Sequence, residues 1–194
     1  MDENNNKSNL KDSEKKHDLF SRVFEWAELF ALYFAIGMLL LLACFRHSPV
    51  EGTSMYPTLN ENDLLIVSML FYTPENGDII VCQSPDYGLD RPLVKRVIAT
   101  GGQTVEIDYE NWTVSVDGKI LEETYINREP DRDMLRSDYL DGSFTVPEGY
   151  VFVMGDNRNH SNDSRSSDIG MIDERYILGK VSVKLFPLSD FRIF

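Results

Sequence analysis

The hydrophobic pattern of the chain changes character twice. Residues 1–22 are polar, 23–46 are apolar, and from 47 to 194 short apolar runs alternate with turn residues. From Trp26 to Phe45 the sequence reads WAELFALYFAIGMLLLLACF, 20 residues carrying one charge, Glu28. As a helix this stretch covers about 30 Å, the thickness of a bilayer's hydrocarbon core. A cleavable signal peptide has a shorter apolar region followed by a small-residue site. Here Phe45-Arg46-His47-Ser48-Pro49 follows, so residues 23–46 are expected to be a retained single transmembrane helix. The competing reading is a buried helix of a soluble core. Lys7, Lys11, Lys15, Lys16 and Arg22 precede the span, and after Arg46 no lysine or arginine occurs before Arg91. This asymmetry keeps the amino terminus inside, with 1–22 as a cytoplasmic tail and 47–194 outside the cytoplasm.

The outer region predicts strands. Asp63–Ser68, Asp78–Gln83 and Leu93–Ala99 are short apolar runs bounded by turn residues, and Gln103–Asp108 alternates cleanly. Asp117-Gly118 between the alternating runs Thr113–Val116 and Lys119–Leu121 is a hairpin signal. Tyr150–Met154 and Tyr176–Phe186 supply two more strands. The segment from about 108 to 147 is acidic and weakly patterned over 123–143, and reads as an inserted or variable region. Leu70-Phe71-Tyr72 suits either an interfacial tip or the core. The expected fold is mainly β and antiparallel.

Charge and cysteine content narrow the function. The net charge is −13, with 19 basic and 32 acidic residues, which disfavours nucleic acid as a partner. Of the two cysteines, Cys44 falls in the apolar span and Cys82 in a strand, so neither a disulfide nor a metal site is expected.

Two residues carry the candidate chemistry. Ser54 lies in Gly52-Thr53-Ser54-Met55-Tyr56-Pro57-Thr58-Leu59, and Lys95 in Leu93-Val94-Lys95-Arg96-Val97-Ile98. A serine attacks an amide only with a base beside it, and none of the histidines stands in a triad-like context. On a strand, Lys95 shares its face with Leu93 and Val97. If that face is buried, desolvation favours the neutral amine, which can act as the base. Lysines on strands are more commonly solvated edge residues, and Arg96 cannot replace Lys95 because a guanidinium stays protonated. A second polar cluster runs Gly155-Asp156-Asn157-Arg158-Asn159-His160-Ser161-Asn162-Asp163-Ser164-Arg165. A calcium loop would need a glycine at its sixth position and a glutamate at its twelfth, and both are missing. A solvated turn, or a network orienting a catalytic group, remains.

Taken in order, the anchor and the motifs GTSMYPTL, GDIIV, VKRVI and GDNRxxSxDSR resemble bacterial type I signal peptidases, membrane-anchored proteases with a Ser/Lys dyad. The resemblance covers the anchor and nearly all the outer region, with little support over 108–147. It implies Ser54 as nucleophile, Lys95 as general base, and Ser161 as a hydroxyl orienting the lysine. It further implies Asp163 with Arg165, and Arg96 with Asp156, as bracing pairs, and the Ser54 backbone N–H as oxyanion donor. Met55 and Pro57 are read as shaping the nucleophile's surroundings. Some relatives carry a serine two residues before the nucleophile, where this chain has Gly52, the Gram-positive-like pattern. Gly101-Gly102-Gln103 replaces the usual Pro-Gly-Asp turn, and His160, in place of a common asparagine, is read as a surface loop residue. The implied fold is a coiled antiparallel β-sheet. The implied partners are secretory preproteins with small residues at −1 and −3, and the lipid bilayer, with no cofactor. A self-cleaving Ser/Lys repressor relative and a non-catalytic anchored β-domain are the alternatives.

Overall fold

The computed structural model describes residues 22, 24–39, 45–69, 72–85, 89–140 and 142–194. The chain divides into two units, Met1–Cys44 and Phe45–Phe194. In the first, residues 24–39 are helical. Among the described residues no helix is long and apolar enough to cross a membrane. The expected tail up to residue 21, residues 40–44 at the end of the expected span, and Leu70-Phe71 lie outside the described residues.

The second unit contains twelve described strands: β1 (Phe45–Pro49), β2 (Leu64–Ser68), β3 (Ile79–Ser84), β4 (Leu89–Thr100), β5 (Thr104–Asp108), β6 (Thr113–Val116), β7 (Lys119–Ile120), β8 (Ser143–Thr145), β9 (Tyr150–Met154), β10 (Ile172–Asp173), β11 (Ile177–Phe186) and β12 (Arg192–Ile193). Eight of them form one sheet in the order β1-β2-β11-β3-β4-β9-β10, with β12 added to β11. The other four form a smaller sheet, β7-β6-β5-β8. Strand pairing is antiparallel in both.

The local patterns explain these elements. In β2, Leu65 and Val67 are buried while their neighbours are half-exposed, and β5 alternates in the same way with Val105 and Ile107 inward. The central strand β3 is buried almost throughout, as a strand covered on both faces must be. At the β6–β7 turn, Asp117 and Gly118 both adopt positive φ, 51° and 78°, the backbone that a two-residue hairpin with right-handed twist requires.

Strand β4 belongs to two cores at once. Its register against β9 shifts between Val97 and Ala99. Val97 packs with Ile80, Cys82, Val151 and Val153, whereas Ile98 joins Val105, Val114, Trp112 and Phe152 beneath the small sheet. A third cluster joins Met55 and Leu59 from the β1–β2 loop to Leu65, Ile79 and Val181. Met55 and Leu59 are essentially fully buried, each contributing about 2 kcal/mol of apolar transfer free energy. The loop is therefore a packed part of the domain.

Two features depart from the sequence pattern. Phe45 and Arg46, placed by hydropathy at the end of the span, belong to β1. That strand has no apolar alternation of its own and forms by pairing along β2, Phe45 opposite Ser68 through Pro49 opposite Leu64. The segment read as an insertion supplies β6, β7 and β8, and Trp112 fixes it by donating to the Arg132 carbonyl at 2.9 Å.

Gly179 sits where β11 changes register against β3, with φ +150°. A Cβ there would lie 2.4 Å from the Ser68 carbonyl oxygen. We expect Gly179→Ala to destabilise the protein by about 1–3 kcal/mol. Thermal unfolding of the purified protein in detergent measures this, and an unchanged melting temperature would contradict it.

Candidate active site

The loop that carries Ser54 is built from its base upward. Val50 N–H donates to Asp63 O and Asn62 N–H donates to Val50 O, both at 2.9 Å, closing the ends of the loop over the buried Met55 and Leu59. The tip is held from the other side. Asn157 N–H donates to Ser54 O at 2.9 Å, and Asn157 Nδ2 donates to Thr53 O at 3.0 Å. Because the peptide plane is rigid and trans, fixing the Thr53 carbonyl also fixes the opposite direction of the Ser54 N–H. Among the described residues that N–H has no acceptor. Gly52, two residues earlier, has φ +78°, a conformation that a serine would hold only with strain.

Lys95 reaches the site from β4. It lies opposite Ile80 on β3, and β9 ends at Met154 opposite Arg96, so the chain leaves the sheet at Gly155 just beside the lysine. Lys95 Nζ lies 2.9 Å from Ser54 Oγ and 3.1 Å from Val94 O, and the residue is only 3% exposed. Burial pushes its pKa down, and the attraction of Asp163 opposes this without cancelling it. Cys82, free and buried near the amine, has its thiol pushed up to about 12 by burial and stays neutral.

The two nearby carboxylates are already engaged. Asp156 receives Arg96 Nε at 2.8 Å, Arg96 Nη2 at 2.7 Å and Thr58 Oγ1 at 2.5 Å. Asp163 receives Arg165 Nε at 2.8 Å, Arg165 Nη2 at 2.9 Å and Gly155 N–H at 2.9 Å. Burial alone would raise the Asp163 pKa, but its bonds to and charge attraction from Arg165 bring it below the ordinary range. Both pairs inferred from the sequence are thus formed.

Ser161 is brought to the dyad but does not bond to the lysine. Its Oγ is buried and, among the described residues, is the one buried side-chain polar atom without a partner. The hydroxyl lies close enough to Asp163 to help hold that carboxyl's pKa down. A cleft of about 410 Å³ leads to the pair, walled by residues 48–54 and 91–95, with His160 and Asn162 beside them. His160, read as a surface residue, is exposed and also lines this cleft, paired with Glu129 at 2.9 Å.

Other contributors are harder to see in the sequence. Arg158 is fully buried, donates to Gly155 O at 3.1 Å and forms an ion pair with Glu123. Tyr125 donates to Glu123 at 3.0 Å, and the Arg96 guanidinium lies 3.8 Å from the centre of its ring. Asn157 and Arg158 fall inside the recognised polar cluster. Glu123 and Tyr125 lie in the acidic stretch, where no periodicity marks them. Among the described residues no group of three or more His, Cys, Asp or Glu side chains could hold a metal ion.

The arrangement is an antiparallel β domain in which a hydroxyl meets a desolvated amine at the end of a cleft. The sequence matches the family described as "Signal peptidase, peptidase S26" over residues 23–186, and the chain belongs to that family. It is 39% identical over 169 residues to a probable signal peptidase I-1 of Synechocystis sp., covering 81% of each chain. It is 35% identical over 187 residues to signal peptidase I of Bacillus licheniformis, covering 92% of this chain and 97% of that one. A solved signal peptidase I structure from Enterococcus faecalis V583 aligns with a TM-score of 0.48 at 30% identity, covering 57% of this chain and 97% of that one.

Two tests follow from the geometry. A Cβ on Gly155 would lie 2.2 Å from Ser161 Oγ and 2.5 Å from the Ser54 carbonyl oxygen. The carbonyl belongs to the backbone of Ser54, so Gly155→Ala should displace that serine and lower kcat on the order of a hundredfold. A kcat within twofold of wild type would contradict this. Replacing Lys95 by Met removes the cost of burying the amine. The lysine pKa is lowered in the fold, so the unfolded chain binds more protons between that pKa and the ordinary value of 10.5. Lys95→Met should therefore melt higher than wild type near neutral pH, with the advantage shrinking as pH rises toward 10.5. Melting curves across that range provide the check, and an advantage that grew with pH would contradict it.

Proposed function

We propose that this protein is a membrane-anchored serine endopeptidase that removes the amino-terminal signal peptides of exported preproteins. Ser54 is the nucleophile and Lys95 its general base. The observation that carries the reading is the 2.9 Å approach of Lys95 Nζ to Ser54 Oγ with the lysine almost wholly buried. Family membership and relatives that are signal peptidase I enzymes support it.

In the proposed reaction the neutral amine takes the Ser54 proton as Oγ attacks the scissile carbonyl. The negative charge developing on the carbonyl oxygen is met by the Ser54 N–H, which its peptide plane holds in place. The ammonium then gives its proton to the leaving amide nitrogen, and the C–N bond breaks. The released product begins at that nitrogen, while the signal peptide stays attached to Ser54 as an ester. A water, deprotonated by the same amine, hydrolyses the ester and restores the hydroxyl.

Asp156 and Asp163, each held by an arginine, fix the backbone around the dyad without adding an unpaired negative charge beside the amine. The substrate is an extended segment with small side chains at −1 and −3, laid between the walls 48–54 and 91–95. The apolar stretch 26–44 supplies the anchor, with the amino terminus cytoplasmic and the β domain on the far side of the membrane.

Precursor cleavage in detergent or liposomes tests the reading. Ser54→Ala and Lys95→Ala should each lower kcat on the order of 10⁴-fold. Wild-type kcat/KM should rise with pH through the range in which the depressed lysine loses its proton, and level off below the ordinary lysine value of 10.5. Substantial cleavage by Lys95→Ala would remove the lysine from its role.

A further inference from the structure

The cleft continues past the dyad. His160 and Asn162, which line it beside Ser54 and Lys95, also line a second groove of about 450 Å³ whose other side includes Leu135, Arg136 and Asp138. The walls 48–54 and 91–95 line the cleft that holds Ser54 and Lys95. The second groove starts at the loop holding Ser161, which abuts Gly155 and through it the Ser54 carbonyl. The two clefts therefore adjoin along His160 and Asn162, next to the loop that carries Ser54.

The groove presents one side chain in a deliberate way. Leu135 is 57% exposed, yet both of its backbone polar groups are held by the catalytic loop. Its N–H donates to Asn159 Oδ1 at 2.7 Å, and its carbonyl accepts from Arg165 Nη1 at 3.1 Å. The preceding Met134 is buried and bonded through its N–H to Tyr109 O at 2.9 Å. An apolar side chain is thus fixed in position with its surface facing solvent.

The charged neighbours are engaged elsewhere. Asp138 accepts from the Ser167 N–H and hydroxyl at 2.7 and 2.8 Å, Arg136 pairs with Glu110 at 3.4 Å, and His160 pairs with Glu129 at 2.9 Å. What this wall offers a passing chain is the leucine.

We propose that the second groove holds the residues just after the scissile bond, the amino-terminal end of the released protein, and that Leu135 selects among them by contact with an apolar side chain. The inference rests on the cleavage activity proposed above and adds a specificity determinant to the leaving-group side. It also accounts for the segment around residue 135, which shapes the exit of the product chain while Arg165 ties it to the catalytic loop.

A peptide series provides the test. One substrate is held constant up to the scissile bond, and Gly, Leu, Asp or Lys is placed in turn at each of the three positions after it. Full-length wild type in detergent should prefer Leu to Gly at one of these positions by about fivefold in kcat/KM, the scale of a half-buried aliphatic contact. Leu135→Ala should bring that ratio close to one. Leu135→Asp should reverse the order, favouring Lys over Leu at the same position. In a second series varied only at −1 and −3, the ranking of side chains should be the same in all three proteins. Melting curves confirm that both variants fold, as expected for an exposed side chain.

If wild type cleaves the series and both variants keep its ranking after the scissile bond, the groove assignment is overturned while the protease reading stands. A wild type that cleaves none of the peptides overturns both.

Discussion

The desolvation of one amine sets the terms for the rest of this structure. A charged lysine in a dry interior costs several kcal/mol, and a fold normally avoids that cost by exposing the group or pairing it with a carboxylate. Lys95 has neither remedy: it is 3% exposed, and its bonds go to a serine hydroxyl and a backbone carbonyl. Two aspartates stand close enough to pull its pKa back up, yet each is claimed by an arginine. At the lysine the field of Asp163 is offset by that of Arg165, so the carboxylate acts there more like one end of a dipole than like a free charge. The arginines thus protect the neutrality of the amine. That explains why both pairs are buried although neither touches Ser54.

The same ion pairs also tie distant segments together. Arg96 joins β4 to Asp156, to the Gly77 carbonyl and to the Tyr125 ring. Arg165 joins Asp163 to the carbonyls of Arg158 and Leu135. Arg158 in turn holds Glu123. A buried ion pair adds little stability over an apolar pair of similar volume, but losing one partner is costly because the other charge is left stranded. These bonds work as registration: they allow one arrangement of β4, the 155–165 loop and the 121–137 segment. Lys184 does the same on the opposite side, fully buried between Asp63 at 3.1 Å and Asp190 at 2.5 Å, and so connects the base of the nucleophile loop to the carboxyl-terminal turn.

This division between local pattern and distant pairing decides what can be read from sequence. Strands β2, β3, β5, β6, β9 and β11 announce themselves because alternation and turn residues are local signals. Ser54 and Lys95 stand out because a serine in GTSMYP and a lysine between aliphatic residues are each unusual in their immediate context. β1 is hidden, since FRHSP contains no alternation and takes its conformation from β2. Lys184 looks like an ordinary polar position on β11, and its partner Asp63 lies far from it in the chain. Glu123 and Tyr125 sit in a stretch that is, by pattern, merely acidic. Gly52 reads as a missing hydroxyl, while its φ of +78° reflects a backbone demand that composition does not reveal. Wherever a residue's role is set by a partner distant in sequence, one-dimensional pattern has nothing to register.

The polar groups left unsatisfied complete the physical picture. Burying a donor or acceptor without a partner costs about 1–3 kcal/mol, so such groups are rare and require a reason. Here, among the described residues, Ser161 Oγ lacks a partner and the Ser54 N–H has no acceptor, beside a buried amine whose bonds go to a hydroxyl and a backbone carbonyl. Ser161 Oγ and the Ser54 backbone both lie against Gly155, a glycine that admits no side chain. Random packing faults would scatter through both sheets. Their concentration at the end of a cleft means that the surrounding network maintains this local cost, and that a bound peptide carbonyl, by supplying an acceptor to the Ser54 N–H, would relieve part of it. On this view the stability given up in the free protein becomes binding energy directed at the reacting carbonyl.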